Sequence, residues 1–216
     1  MNAKSPQRPE GAEPRRRRTR AELEAELEST GRAGLPDLIA DGLVVLIAGI
    51  NPGLSSAAGG VHFGTPGSRF WPGLHRAGFT PRQLAATEGA ELLDYGVGIT
   101  SIVRRPTVRA SELTRAEFVE GGEQLRQRVL ARHPQWLALL GVTGYRAAFN
   151  APDATVGPQH QTIGATRIWV LPNPSGLNAH FPPAALAQEF ARLRIASGLP
   201  DRSGPPSSVE GQQKRS

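Results

Sequence analysis

Residues 43–50 (LVVLIAGI) form an uninterrupted apolar run, and this run constrains the fold of the chain more than any other feature. A strand that faces water on one side alternates apolar and polar residues, whereas a continuous run indicates a strand that is buried on both faces. Strands of this kind belong to parallel sheets that helices cover on both sides. The run therefore predicts an α/β protein.

Further candidate strands alternate with helical segments along the chain. The strands are predicted at 97–103, 135–140 and 167–171, and the helices at 69–77, 114–132, 143–149 and 182–197, with shorter helical pieces within 81–93. Strands that alternate with helices build a mostly parallel sheet, because each return crossing runs through a helix. We predict a three-layer α/β/α sandwich with a central, mostly parallel four-stranded sheet.

Three regions are predicted along the 216 residues. Residues 1–35 form a basic N-terminal extension, disordered at first and then helical over 20–28, where Thr19 and Glu22 form a capping box. Residues 36–199 form the domain, and residues 200–216 form a disordered tail. The four-arginine block at 15–18 has two interpretations, a sequence-independent tether to phosphates or a solvated tail.

Composition narrows the class of protein. The chain has no cysteine, which excludes disulfides, thiol nucleophiles and iron–sulfur clusters. The net charge of +6 permits a nucleic-acid partner but does not demonstrate one. No segment reaches the length of a membrane span, the first ten residues lack the apolar stretch of a secretory signal, and no group has metal-ligand spacing. We expect a cytoplasmic protein with no membrane partner, metal or cofactor.

Two loops with an Asn-Pro pair follow apolar strands. Asn51 comes directly after the first strand, Asn173 comes shortly after the last, and Asn178 lies further along the second loop. Ligands of open α/β sheets bind beyond the carboxyl ends of the strands, where such loops meet. One Asn-Pro-Gly segment alone is an ordinary turn. Two at corresponding strand ends indicate a shared site.

The segments GINPGLSSAAGGVHFGTPGSRFW, LLDYGVGIT, RPT and LPNPSGLN occur in this order within residues 36–195. In these motifs the chain resembles the mismatch-specific uracil-DNA glycosylases, relatives of thymine-DNA glycosylase in the uracil-DNA glycosylase superfamily. The resemblance implies a monomeric, monofunctional DNA glycosylase for base excision repair, which flips out uracil and leaves an abasic site. Its implied partner is double-stranded DNA with G·U or G·T mismatches, with thymine or ethenocytosine as further targets.

The resemblance also implies roles for single residues. Asn51 corresponds to the residue that holds the attacking water, and because an amide is not a base, a slow enzyme is expected. Phe63 corresponds to the aromatic residue that stacks on the flipped base, and backbone groups of Ile50 and Phe63 would read the pyrimidine edge. Ser56 corresponds to a small residue of the pocket wall. Asn173 stands where faster relatives have a histidine that faces the leaving oxygen.

The second loop carries the implied DNA wedge, Gly176, Leu177 and Asn178. Leu177 would fill the space that the base vacates, which offsets an unstacking cost of a few kcal/mol. A mismatched pair opens more easily, and this is a physical reason to prefer G·U and G·T. Several relatives have Arg where this chain has Ala179, and this departure has two interpretations: His180 replaces the contact to the widowed guanine or its phosphate, or His180 is merely exposed and the contact is lost.

Asp94, just before the second strand, is a candidate general base that would compensate for the amide at position 51. The alternative is an aspartate that only caps the turn into the strand. Beyond the same strand, Arg104, Arg105 and Arg109 would either contact phosphates or remain solvated. No lysine occurs between residues 5 and 213, so the domain has no amine for a Schiff-base lyase step.

Two other functions fit the sequence. One is a non-catalytic DNA damage- or mismatch-sensing module that flips or probes bases. The other is a nucleotide- or phosphate-binding α/β protein that uses GINPG as an anion loop, although the chain lacks the G-x-x-x-x-G-K-[ST] and G-x-G-x-x-G patterns.

Overall fold

The central sheet has five strands. The computed structural model describes residues 18–31 and 34–204 of the chain. The strands are β1 (Val45–Gly49), β2 (Val97–Ser101), β3 (Trp136–Leu140), β4 (Gly157–Ile163) and β5 (Thr166–Leu171), in the order β2-β1-β3-β5-β4. Of these, β4 alone is antiparallel to its neighbour. The prediction of a mostly parallel sheet is confirmed, and the prediction of four strands is wrong.

The strand that the sequence analysis missed, β4, lies at the edge of the sheet. Its sequence, GPQHQTI, is polar, and only its first and last residues, Gly157 and Ile163, are buried. It pairs with β5 through a turn at Gly164, where φ is 56°, and its register is irregular between Pro158 and Thr162. Proline is tolerated at such an edge. Hydrophobic periodicity gives no signal for this strand, because its pairing with β5 and not burial defines it.

Helices cover both faces of the sheet. In the described part of the chain these are α1 (Arg20–Ser29), α2 (Leu54–Ala58), α3 (Phe70–Arg76), α4 (Arg115–Arg132), α5 (Val142–Phe149) and α6 (Pro183–Ala196), with 3₁₀ segments at Ala86–Tyr95 and Ala110–Glu112. The predicted capping box of Thr19 and Glu22 begins α1, and a second one begins α4 at Thr114. None of the described helices is long and apolar enough to cross a membrane.

Two apolar layers pack against the sheet, one on each face, as the three-layer prediction requires. On one face Ile47 packs in a cluster with residues of α3 and α6, and on the other face Leu46 packs in a cluster with residues of α4 and α5. All five residues of β1 are buried. The apolar run at 43–50 is therefore a central strand that is covered on both sides.

The first and the last described segments contact the rest of the domain in different ways. Helix α1 packs on α2 through a small separate cluster that includes Leu23 and Leu54. At the other end Asp201 pairs with Arg194 at 2.9 Å, so the first residues of the predicted tail contact the domain. The predictions for residues 1–17, which include most of the arginine block, and for residues 205–216 lie outside the described residues.

Candidate active site

The loops after β1, β3 and β5 meet at the carboxyl edge of the sheet. Gly141, directly after β3, lies between two of the predicted site residues: a Cβ atom there would be 3.3 Å from Cδ1 of Ile50 and 3.7 Å from Nδ2 of Asn173. The Ile50 side chain also lies against Gly144 in α5. The structure thus brings the two Asn-Pro loops together, with glycine as the residue that leaves room between them.

The Asn51 amide has one orientation. Its Nδ2 donates to the carbonyl of Arg105 at 2.9 Å and to Oγ1 of Thr107 at 2.7 Å. The Thr107 hydroxyl donates in turn to the carbonyl of Arg109 at 2.9 Å, so toward Asn51 it accepts. Both amide hydrogens are engaged, and no hydrogen bond to Oδ1 is made within the described residues. Asn51 therefore presents a hydrogen-bond acceptor from a half-buried position.

The segment that orients Asn51 is itself anchored. The backbone of Thr107 exchanges hydrogen bonds with Pro52 and Leu54, at 3.1 and 2.8 Å. The Arg105 guanidinium holds both carboxylate oxygens of Glu117, at 2.6 and 3.1 Å. Hydrogen bonds from Arg105, and then from the backbone of the helix cap, lower the pKa of Glu117 to about 2. Glu117 therefore links the start of α4 to the segment that carries the Asn51 acceptors.

The Phe63 ring lies against Gly49, the last residue of β1. Its φ is 53°, which few residues other than glycine adopt. Its ring stacks on Phe70 with centroids 3.8 Å apart, and a Cβ atom at Gly49 would be 3.3 Å from its Cζ. The preceding residue, His62, is held on both sides, since its Nε2 donates to the Pro36 carbonyl at 2.8 Å and its carbonyl accepts from Nε1 of Trp71 at 3.1 Å. Burial lowers the pKa of His62, which favours the neutral ring.

Ser56 lies in α2 and is buried. Its hydroxyl is 3.1 Å from Oγ1 of Thr65, which also lies 3.2 Å from the hydroxyl of Ser55. The predicted pocket-wall serine is therefore small but not free, because Thr65 engages it.

We call residues 173–181 the wedge loop. Its own hydrogen bonds shape it: Oδ1 of Asn173 accepts from the amide of Ser175 at 3.0 Å, and the Ser175 hydroxyl accepts from the amide of Leu177 at 3.3 Å. Nδ2 of Asn178 closes the loop by donating to the Asn173 carbonyl at 2.9 Å. At the tip the Leu177 side chain is 94% exposed, more than any other large apolar residue described. The loop is therefore a turn held by its own hydrogen bonds, and it presents an apolar side chain to solvent.

Sequence reasoning assigned no role to Arg69, which holds the wedge loop from outside. Its guanidinium donates to three carbonyls of the loop, those of Gly176 at 2.8 Å, Asn178 at 3.1 Å and Phe181 at 3.0 Å. Its backbone amide donates to the Pro174 carbonyl at 2.8 Å. Thr107 was likewise given no role, although it lies in the RPT segment that the resemblance singled out. Both residues lie in segments that carry the resemblance, Thr107 in RPT and Arg69 in GINPGLSSAAGGVHFGTPGSRFW. These motifs were a signal for both residues, but they do not show which loop each side chain contacts.

Asp94 lies at the wrong edge of the sheet for the role of general base. It is exposed near the end of the 3₁₀ segment Ala86–Tyr95, before β2 begins at Val97. Val97 pairs with Val45 at the start of β1, whereas the predicted site follows the other end of β1 at Gly49. The expectation that Asp94 approaches the pocket is wrong, because this residue precedes its strand and carboxyl-edge loops follow theirs.

The arginines beyond β2 are mostly engaged by carboxylates. Arg104 pairs with Asp37 at 2.6 Å, and Arg105 pairs with Glu117. The side chain of Arg109 is exposed and makes no ion pair with any described residue. Of the three candidates for phosphate contact, Arg109 is the one that the structure leaves available. The described residues also contain no cluster of histidine, aspartate or glutamate that could hold a metal ion.

Comparison with known proteins gives a family match and, second, matches among solved structures. Residues 36–194 match the family described as the uracil DNA glycosylase superfamily. Among solved structures, the chain is similar to an NMR structure of a proposed uracil DNA glycosylase from Methanosarcina acetivorans, with a TM-score of 0.52 and 17% sequence identity. That match covers 74% of this chain and 97% of the other. At this identity the second match shows the fold alone.

Proposed function

The chain belongs to the uracil DNA glycosylase superfamily, whose members are DNA glycosylases, and we propose that it excises uracil from double-stranded DNA. We further propose that its preferred target is uracil mispaired with guanine. The enzyme is monofunctional and leaves an abasic site for other repair enzymes. The observation that carries the proposal is the orientation of Asn51, whose two amide hydrogens are engaged so that Oδ1 is left to hold a water molecule.

In the proposed reaction the N-glycosidic bond breaks first in a dissociative transition state. Its electrons go to the departing uracil, and positive charge develops on the sugar. A water held by Oδ1 of Asn51 attacks the anomeric carbon and loses its proton to solvent or to the leaving anion. Asn173 makes no hydrogen bond through Nδ2 within the described residues, so this group is available to donate to the leaving oxygen. Neither amide is a strong acid or base, which implies a modest rate.

The base pocket is proposed to form on Phe63. Phe70 covers one face of its ring, and the flipped uracil stacks on the face turned away from Phe70. Packing on Phe70 and contact with Gly49 hold the ring before any base arrives. A preformed platform lowers the entropy that base capture would otherwise cost.

The preference for mismatches is proposed to come from the cost of opening the pair. The exposed Leu177 fills the vacated space, and a wobble pair loses fewer and weaker contacts than a Watson–Crick pair when it opens. The small Ser56 at the pocket wall supports thymine and ethenocytosine as additional targets, although its contact with Thr65 limits how far it can move. One domain carries all of these groups, so the proposed unit is a monomer.

Single-turnover cleavage of duplexes with G·U, A·U or G·T, and of single-stranded uracil, tests the proposal. We expect G·U to be cleaved well above A·U, and Asn51→Ala to abolish cleavage. Asn150→Gly is the matched control, since it removes an amide from an exposed helix end where φ of 50° suits glycine. Binding of DNA without cleavage of any substrate would replace the proposal with a damage-sensing module. If the protein neither binds DNA nor cleaves any of these substrates, it has the superfamily fold without this activity, and the proposal is rejected.

A further inference from the structure

Three consecutive residues at the start of α3 each contact one of the two loops of the site. Arg69 donates to the wedge loop, Phe70 stacks beneath Phe63, and Trp71 donates to the His62 carbonyl next to Phe63. Arg69, which holds the wedge loop, and Phe70, which supports the Phe63 ring, are therefore adjacent residues at the start of one helix.

Arg69 is suited to this position by its geometry. It is half-buried, it makes no ion pair with any described residue, and its donors are directed to loop carbonyls. A guanidinium presents several donors in a rigid plane, so it can hold carbonyls that lie in different directions at once. A lysine ammonium is a single point charge on a flexible stem and would not hold the same three groups.

A second contact joins the same segments through glycine. A Cβ atom on Gly176 would lie 2.5 Å from the carbonyl oxygen of Gly67, two residues before Arg69. The wedge loop therefore approaches the segment before α3 backbone to backbone. Together with the Arg69 bonds, this contact sets the distance between the tip of the wedge loop and the segment that carries Phe63.

We propose that Arg69 is a positioning residue that couples wedge insertion to base capture. By holding the wedge loop to the helix whose next residue supports Phe63, it presents Leu177 and the stacking ring at one fixed separation. Leu177 then enters the base stack as the flipped base reaches Phe63. This inference rests on the proposed function, and it concerns how the two loops act together.

The kinetic test compares two substrates, a G·U duplex and a duplex with uracil in a one-nucleotide bulge, where no partner base is given up. Arg69→Ala is expected to slow G·U cleavage about tenfold and bulge cleavage by less than about twofold, tenfold being ~1.4 kcal/mol of barrier. Arg69→Lys should recover only part of the loss. In a Leu177→Ala background the Arg69 change should add little, because the wedge is already lost.

The control is Arg76→Ala on the same helix, an exposed arginine with no hydrogen bond or ion pair to any described residue. It should leave both rates unchanged. Equal losses on both substrates from Arg69→Ala, or a full additional loss in the Leu177→Ala background, would overturn the coupling.

Hydrogen exchange in the DNA-free protein separates this inference from the proposed function. The amides of Leu177, Asn178 and His180 are bonded within the wedge loop. Arg69→Ala should speed their exchange while Arg76→Ala does not, with the melting temperature of both variants close to that of the wild type. Unchanged exchange in Arg69→Ala would overturn the role of Arg69 as the anchor. If Arg69→Ala speeds the exchange of these amides but the wild type cleaves no uracil, the result supports Arg69 as the anchor and rejects the glycosylase proposal.

Discussion

Asn51 and Thr107 are joined by a hydrogen bond of 2.7 Å that determines which atom of the Asn51 amide is free. Thr107 can only accept in this bond, because its own hydrogen goes to the carbonyl of Arg109. An amide at a strand end is ambiguous by itself, since its oxygen and nitrogen have nearly the same shape. Here the hydroxyl of Thr107 resolves the ambiguity and leaves the oxygen for a water molecule.

Thr107→Val should therefore slow cleavage of G·U by about tenfold or more, since a lost hydrogen bond to a buried group costs about 1–3 kcal/mol. Thr107 is buried, and valine keeps the branched shape of threonine while a slightly larger methyl group replaces the hydroxyl. Thr107→Ser keeps the acceptor and is the control. Single-turnover rates, with melting temperatures measured in parallel, check the result. A valine variant with the wild-type rate would show that Thr107 does not orient Asn51.

Leu177→Ala should change activity without changing stability. The side chain is 94% exposed, so its removal should alter the free energy of unfolding by less than about 0.5 kcal/mol. Cleavage of G·U in duplex should fall about tenfold or more, because nothing then offsets the few kcal/mol of unstacking. Urea unfolding and single-turnover kinetics measure the two effects. Ile195→Ala, at another exposed apolar residue on α6, is the control and should leave both unchanged.

Asp94→Ala should leave cleavage at the wild-type rate, because Asp94 lies at the amino edge of the sheet, across the length of β2 from the site. Single-turnover rates on G·U between pH 5 and pH 8 check this, with Asn51→Ala as the inactive reference. If loss of the carboxylate lowered the rate and removed its dependence on pH, a proton-transfer role would have to be restored to Asp94.

The lowered pKa of Glu117 predicts that the stability of the fold depends on pH. Its pKa of about 2 in the folded protein lies below its ordinary value of 4.5, so the ionised form is favoured by folding. The stability that it contributes is fully present above about pH 4.5 and is lost as the pH falls toward 2. Glu117→Gln should therefore unfold at a lower urea concentration than the wild type at pH 7, and the difference should shrink between pH 4.5 and pH 2.

Glu120→Gln, on the same helix but paired with no described side chain other than Gln124, is the control for that titration. Its unfolding midpoint should stay close to that of the wild type at each pH. A Glu117→Gln deficit that persisted unchanged at pH 2.5 would mean that the Arg105–Glu117 pair is not its source.

The basic extension predicts a salt effect on DNA binding. Helix α1 packs beside α2, and Arg20 at its start reaches Glu112 at 3.3 Å, in the segment after the Asn51 acceptors. The arginines at 15–17 therefore precede a helix that begins near the carboxyl edge of the sheet. If they contact phosphates, deleting residues 1–17 should flatten the slope of log affinity against log salt by about 0.9 per lost contact. Fluorescence anisotropy from 50 to 200 mM salt measures the slope, and an unchanged slope would identify the block as a solvated tail.

Much of the fold was readable from short stretches of sequence. The apolar run at 43–50 indicated a strand buried on both faces, and all five residues of β1 are buried. The capping box at Thr19 could be predicted because a cap bonds groups only three residues apart. The strand β4 was not readable, because its polar residues pair with β5 at an exposed edge and carry no pattern of burial.

The sequence by itself determined the chemistry that is available, namely two Asn-Pro loops, an aromatic residue and an apolar tip in one sheet-edge region, because motifs and burial patterns are local. Only the tertiary structure decided how these groups are used. It placed Asp94 at the opposite edge, set the free atom of Asn51 through Thr107, and brought Arg69 to carbonyls more than a hundred residues further along the chain. These relationships depend on the order of the strands in the sheet and on which loops meet at its edges. A hydrogen bond between distant segments produces no periodic pattern in the sequence of either segment. Its two partners are therefore defined only by the folded structure.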